Sequence, residues 1–250
     1  MTGALRGPGM FRGFWSTTAH PAVLEVAASL DPDFVTIDLQ HGADGAEVGV
    51  GTFTALAYHG VPGLVRVAAN DPVHIGKALD LGAAGVIVPM VSTVEEAAAA
   101  VAACRYAPDG VRSFGVQTPR VDPFAAERPL CAVQIETAAA VGSVEAIAAV
   151  DGVDWLYIGP ADLGLSVGGA PADVESVLDG THPLAAAMRD AFAAVVAAAD
   201  RHGKVPGIHC NSGAAAVTAA GAGFRASSVA TDLVALHRDM ATQLATARHG

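Results

Sequence analysis

Residues 63–105 read GLVRVAANDPVHIGKALDLGAAGVIVPMVSTVEEAAAAVAACR. Two short β-branched runs, Gly63–Val67 and Gly85–Met90, each give way to a longer helical stretch. Asn70-Asp71-Pro72 offers a capping side chain and then a proline for the first turn. That predicts a helix to about Leu81, ended by Gly82. Ser92 or Thr93 opens the next helix, Val94 to Arg105, with Glu95 and Glu96 where the helix dipole favours acids. The runs are nearly continuous in apolar residues, as strands of a parallel sheet covered on both faces must be.

The same alternation extends in both directions. Toward the N-terminus it predicts strands at Phe11–Ser16 and Asp33–Asp38, with helices from about His20 to Leu30 and Ala46 to His59. Toward the C-terminus come a loop from Ala107 to Pro129, a strand at Leu130–Ile135 and a helix at about Ala138–Ala149. A strand at Asp154–Ile158 and a second long loop, Gly159–His182, follow. Then come a helix at Pro183–Arg201, a strand at Val205–His209, a helix at Ala214–Ala222, a strand at Phe224–Val229 and a last helix from Asp232 to about Ala247. Eight strand–helix units at ~30 residues each favour a closed (β/α)8 TIM barrel over an open sheet, with residues 1–250 as one domain.

Fourteen basic against 25 acidic residues give a net charge of −11, which argues against a nucleic-acid backbone as partner. Hydrophobic residues make up 52% of the chain, yet the longest unbroken apolar run, Ala191–Ala199, is nine residues. A spanning helix needs about 18, so no membrane partner is expected. The start shows no apolar signal-peptide core. Cys104, Cys131 and Cys210 have no CxxC spacing and read as reduced thiols of a cytoplasmic protein. No GxGxxG or GxxxxGK[ST] motif supports nucleotide binding.

Barrel chemistry sits at the C-terminal ends of the strands. There the sequence places Asp38, Gln40 and His41, then Arg66, Gln134 and Glu136, then Gly159-Pro160-Ala161-Asp162, then His209-Cys210-Asn211 and Thr231-Asp232. Several of these residue types also serve as helix caps. An arginine inside an apolar strand needs an anion, and Asp38 or Glu136 could serve as a structural partner. Glu136 and Asp162 follow neighbouring strands and can share one divalent cation, leaving positions for water and substrate oxygens. The turn at Gly159-Pro160 can point backbone N–H groups at a carboxylate. Arg66 can stabilise charge on a keto oxygen, and His41 is a candidate base. Together these read as enolate chemistry on a 2-keto acid.

The stretches DFVTIDLQHGA (33–43), 64–94 as quoted above, YAPDGVRSFGV (106–116), VQIETA (133–138) and WLYIGPADLGLSVGG (155–169) resemble the HpcH/HpaI family of metal-dependent pyruvate aldolases. The resemblance implies a TIM barrel, a homo-oligomer (trimer or hexamer), and Mg2+, Mn2+ or Co2+ as cofactor. The implied reaction cleaves a 4-hydroxy-2-keto acid to pyruvate and an aldehyde, and reverses. It assigns Glu136 and Asp162 to the metal, His41 to the base, Arg66 to the enolate, Asp80 to orienting the histidine, Gln134 to substrate contact, and the amides of Gly159, Ala161 and Asp162 to the carboxylate cradle. Asp38 is a second candidate to hold His41. Gln40 stands where many members carry Glu. Ser113 stands where glycine is usual, so that loop is expected to be shaped differently. Two other readings compete: a lyase of acyl-CoA esters, against which the low Lys and Arg count speaks, and a non-catalytic keto-acid-binding barrel.

Overall fold

The structure, a computed structural model, describes residues 3–43, 48–115, 122 and 127–249. The expected start of the second helix at Ala46 and most of the second half of the 107–129 loop lie outside these residues.

Eight parallel strands close on themselves in sequence order. They are β1 (Phe11–Ser16), β2 (Phe34–Asp38), β3 (Gly63–Arg66), β4 (Gly85–Val88), β5 (Leu130–Ile135), β6 (Trp155–Ile158), β7 (Val205–Ile208) and β8 (Ala226–Thr231). The last pairs with the first, Phe11 facing Ala226 and Trp15 facing Thr231. Between them run α1 (Pro21–Ala28), α2 (Val50–Tyr58), α3 (Pro72–Asp80) and α4 (Val94–Ala103). After β5 come the short α5 (Ala138–Gly142) and α6 (Val144–Ala148). The expected caps are in place: the Asp71 carboxylate accepts from Val73 N–H at 2.8 Å, and Thr93 with Glu96 forms a capping box on α4.

The Gly159–His182 stretch corrects the sequence reading. It is not a loop: it holds α7 (Pro160–Gly168) and α8 (Val174–Asp179), ahead of α9 (Ala185–Arg201). Its Gly, Pro and Asp residues are helix punctuation. Pro160 sits in a first turn, Gly169 closes α7 at φ +75°, and Asp173 caps α8 through Ser176 N–H. The helix expected at 138–149 is likewise broken at Ser143, where α5 ends and α6 begins. After β7 comes α10 (Gly213–Gly221), and after β8 comes α11 (Asp232–His249).

Aromatic residues fill the barrel interior. Phe11 stacks on Trp155 at 6.2 Å, and Phe34 meets Trp155 edge-on at 5.3 Å. Two glycines make that room: a Cβ on Gly13 would lie 2.3 Å from the Phe34 ring, and one on Gly207 would lie 2.5 Å from Tyr157. The N-terminal segment closes the lower end. Trp155 Nε1 donates to Leu5 O, and Arg6 and Arg128 both pair with the buried Asp154 carboxylate. The upper end stays open. Among the described residues, no helix is long and apolar enough to cross a membrane.

Candidate active site

The open end holds a cavity of about 320 Å3. Trp15, Asp38, His41, Arg66, Gln134 and Asp162 all line it, from β1, β2, β3, β5 and the start of α7.

Arg66 is the last residue of β3 and faces Asp38, the last residue of β2, across the ladder. Its Nε donates to Asp38 Oδ1 at 2.9 Å and its Nη2 to Oδ2, so the guanidinium is clamped in one plane. Both side chains are buried. Asp38 also accepts from Trp15 Nε1 at 3.2 Å and from the backbone N–H groups of Gln40 and His41. Burial works against ionising Asp38, but Arg66 and these donors outweigh it and hold the carboxyl below its ordinary value. The structural partner considered for Arg66 is therefore real, and the arginine still faces the cavity. Asp38 holds His41 through the backbone N–H, not through the ring. The exposed imidazole makes no hydrogen bond among the described residues.

Glu136 follows β5 and is almost fully buried. Its Oε1 accepts from Met90 N–H at 2.7 Å and its Oε2 from Gln134 Nε2 at 3.0 Å. Gly159 lies against it so closely that a Cβ there would be 2.4 Å from Oε2. Burial pushes the Glu136 carboxyl up to about 7, and the negative charge of Asp162 adds to that rise. Met90 N–H and Arg66 oppose it. Neither Glu136 nor Asp162 has a salt-bridge partner among the described residues. The buried Gln134 Oε1 beside them has no hydrogen-bond partner. Two neighbouring acids without a cationic partner among the described residues, and an orphaned acceptor, suit a hard, partly hydrated divalent cation. No group of three or more His, Cys, Asp or Glu residues forms a self-sufficient metal cage among the described residues.

The structure does not bring Asp80 to this site. A barrel helix returns antiparallel to its strands, so Asp80, the last residue of α3, lies toward the N-terminal end. There its carboxylate accepts from Arg112 Nη2 at 2.7 Å. Arg112 in turn lies over the Tyr106 ring at 4.6 Å. Within this chain Asp80 orients an arginine, not His41. Ser113 is not among the non-glycine residues with positive φ, so serine fits there without backbone strain.

His209 and Cys210 follow β7 and line the same cavity. Burial, and then the nearby Arg66 charge, push the His209 imidazole down to about 4; Asn211 and Asp38 offset only part of this. Burial pushes the Cys210 thiol up to about 12, so it is no thiolate nucleophile at neutral pH. Four contributors escaped the sequence reading. Trp15, on β1, donates its ring N–H to Asp38. The Met90 amide acts from a backbone at φ +57°. Asp173 and Glu175 join the wall from α8, a helix read as loop. The punctuation at Pro160, Gly169 and Asp173 was the available signal for the last two.

The closed parallel barrel thus presents an arginine, a histidine and the Asp162 carboxylate at its C-terminal mouth, with Glu136 buried close by, where TIM-barrel enzymes keep their active sites. Comparison with known proteins agrees. Residues 12–237 match the HpcH/HpaI aldolase/citrate lyase family. A hydroxypyruvate/pyruvate aldolase of Rhizorhabdus wittichii is 36% identical over 231 residues, 90% of this chain and 88% of that one. A 4-hydroxy-2-oxovalerate aldolase of Novosphingobium aromaticivorans is 42% identical over 173 residues, 66% of each chain. The crystal structure of an HpcH/HpaI aldolase/citrate lyase family protein from Burkholderia cenocepacia superposes with a TM-score of 0.85 at 30% identity, covering 98% of this chain and 99% of that one. The chain belongs to the HpcH/HpaI aldolase/citrate lyase family, and the relatives above are named aldolases.

Proposed function

We propose that the protein is a pyruvate aldolase that cleaves a 4-hydroxy-2-keto acid to pyruvate and an aldehyde, and runs the reverse addition. The observation that carries this reading is Arg66, held flat by Asp38 and facing a cavity that the Gly159–Asp162 turn also lines, with Glu136 buried behind Gly159. Aldolases of this family generally depend on a divalent metal. Glu136 and Asp162 would hold it here, as Mg2+, Mn2+ or Co2+, and when bound it supplies Lewis-acid stabilisation of the enolate.

The chain's own residues do the rest. The amides of Gly159, Ala161 and Asp162, at the N-terminus of α7, receive the substrate carboxylate. Gln134, in the cavity wall, contacts the bound keto acid. His41 takes the proton of the 4-hydroxyl as the C3–C4 bond breaks. The electron pair passes to the keto oxygen, where the Arg66 guanidinium meets the growing charge. The low local density of Lys and Arg disfavours the acyl-CoA alternative, since Arg66 is the one Lys or Arg in the cavity wall among the described residues. The enzyme is taken as a cytoplasmic homo-oligomer without nucleic-acid or membrane partners.

Chelation tests the reading. Protein treated with EDTA should lose activity and regain it with Mn2+, Mg2+ or Co2+. Glu136→Ala and Asp162→Ala should each abolish or strongly weaken metal binding. Full turnover by the stripped enzyme would overturn the metal-dependent mechanism.

A further inference from the structure

The chain leaves β4 by a route that few residues favour. Pro89 has no N–H with which to continue the ladder. Met90 then turns left-handed, at φ +57°, one of three non-glycine residues with positive φ among those described. There Cβ crowds the carbonyl, so glycine is the usual occupant. The Met90 side chain is 53% exposed, so its burial does not account for the turn. The neighbouring strand does. Val88 pairs with Val133, and continuing that register would set Met90 opposite Ile135, one residue short of Glu136. The turn instead aims Met90 N–H at the Glu136 side chain, whose Oε1 accepts at 2.7 Å. Gln134 Nε2 donates to the other oxygen at 3.0 Å, so the carboxylate is held at both ends. Just beyond the turn the loop is pinned twice. Ser92 Oγ bonds to Thr137 Oγ1 at 2.8 Å, and Ser92 N–H donates to Glu96 Oε2 at 2.7 Å. A strained backbone persists only where its surroundings over-determine it, and such positions cluster at functional sites.

We propose that the left-handed turn at Met90 presets the Glu136 carboxylate for a divalent cation, which makes Met90 a positioning residue acting through its backbone N–H. The inference rests on the metal role given to Glu136 in the aldolase reading and adds a residue to it. A donor behind a metal-binding carboxylate fixes its orientation, and losing such a donor weakens metal binding about 10- to 100-fold.

The test measures Mn2+ affinity, from the electron paramagnetic resonance signal of the free ion, for wild type, Met90→Gly and Met90→Ile. Glycine adopts the left-handed conformation freely, so Met90→Gly should bind Mn2+ as the wild type does. A β-branched side chain resists it, so Met90→Ile should bind about 10- to 100-fold more weakly. Equal affinity in wild type and Met90→Ile overturns the inference. So does an equal loss in Met90→Gly, which would assign the effect to the methionine side chain. Nitrogen NMR of methionine-labelled protein gives a second readout that stands even if Met90→Ile does not fold. The Met90 amide signal, identified by its absence in Met90→Gly, should move when Mg2+ is added to the wild type. An unmoved signal in wild type that binds Mg2+ overturns the inference while the aldolase reading stands. A wild type that binds neither ion overturns the metal-dependent aldolase reading as well.

Discussion

At the scale of single residues, Arg66 decides more than any other. It was legible because a guanidinium in an apolar strand is costly without an anion. Its partner was not, because Asp38 and Glu136 were equally available until the β2–β3 register placed Asp38 opposite. Arg66→Lys keeps the charge and loses the planar fork that matches Asp38. If the guanidinium serves the enolate, kcat should fall about 100-fold or more. Exchange of the pyruvate methyl protons with deuterium, which needs no aldehyde, should slow with it. Unimpaired exchange would remove Arg66 from the mechanism. Asp38→Ala separates the structural share: it leaves a buried charge unpaired and should cost about 3–5 kcal/mol, read as a lowered urea midpoint. His41→Ala should cut turnover by roughly 100- to 10,000-fold with the fold retained. Asp80 shows the limit of reading residues from a motif. Nothing in KALDLG reveals that the return direction of α3 carries the carboxylate away from the mouth.

At the scale of elements, the strands were the clearest part of the sequence, because a buried parallel strand allows little but apolar residues. The stretch after β6 was the hardest. Its turn residues were read as loop when they were the caps of α7 and α8. That error hid Asp173 and Glu175, which add acidic side chains to the cavity wall; the Glu175 carboxylate is held by Ser212 Oγ at 2.8 Å. An aldehyde with its own carboxylate meets these acids. Glu175→Gln should therefore raise kcat/KM for such an aldehyde relative to a neutral one, and an unchanged ratio would take Glu175 out of selectivity. The β1–α1 connection shows a second device. Asp232, opening α11, accepts from Ser16 Oγ and from the N–H and hydroxyl groups of Thr17 and Thr18. Burial disfavours its charge, but these donors prevail and hold its carboxyl below the usual range. A depressed carboxyl stabilises the fold above its unfolded pKa, about 3.9, and that contribution is lost as pH falls through the folded value. The Tm gap between wild type and Asp232→Asn should thus be full at pH 7 and shrink below about pH 5. A gap that widens toward acid would refute the assignment.

At the scale of the whole molecule, closure of the barrel was legible from the count of eight units, but the state of its last helix was not. Amphipathic spacing cannot say what covers a helix. Most of the longer outer helices bury apolar residues against the barrel, as α9 does with Met188, Phe192 and Val195. In α11, by contrast, Leu233, Leu236, Met240 and Leu244 are all 45–61% exposed. Their spacing of three or four residues sets them on one face of a helix about 27 Å long, at 1.5 Å per residue. An apolar stripe of that length is unusual on a monomer. In the homo-oligomer that the sequence resemblance implies, a second copy of the chain would cover it. Leu236→Glu combined with Met240→Glu changes only exposed positions, so a monomer would tolerate both with little effect on Tm. In an oligomer built on α11, the pair should shift the molar mass from light scattering down to a single 25.0 kDa chain and lower the Tm. The same double variant eluting as a full-size oligomer would show that the contact between copies lies elsewhere.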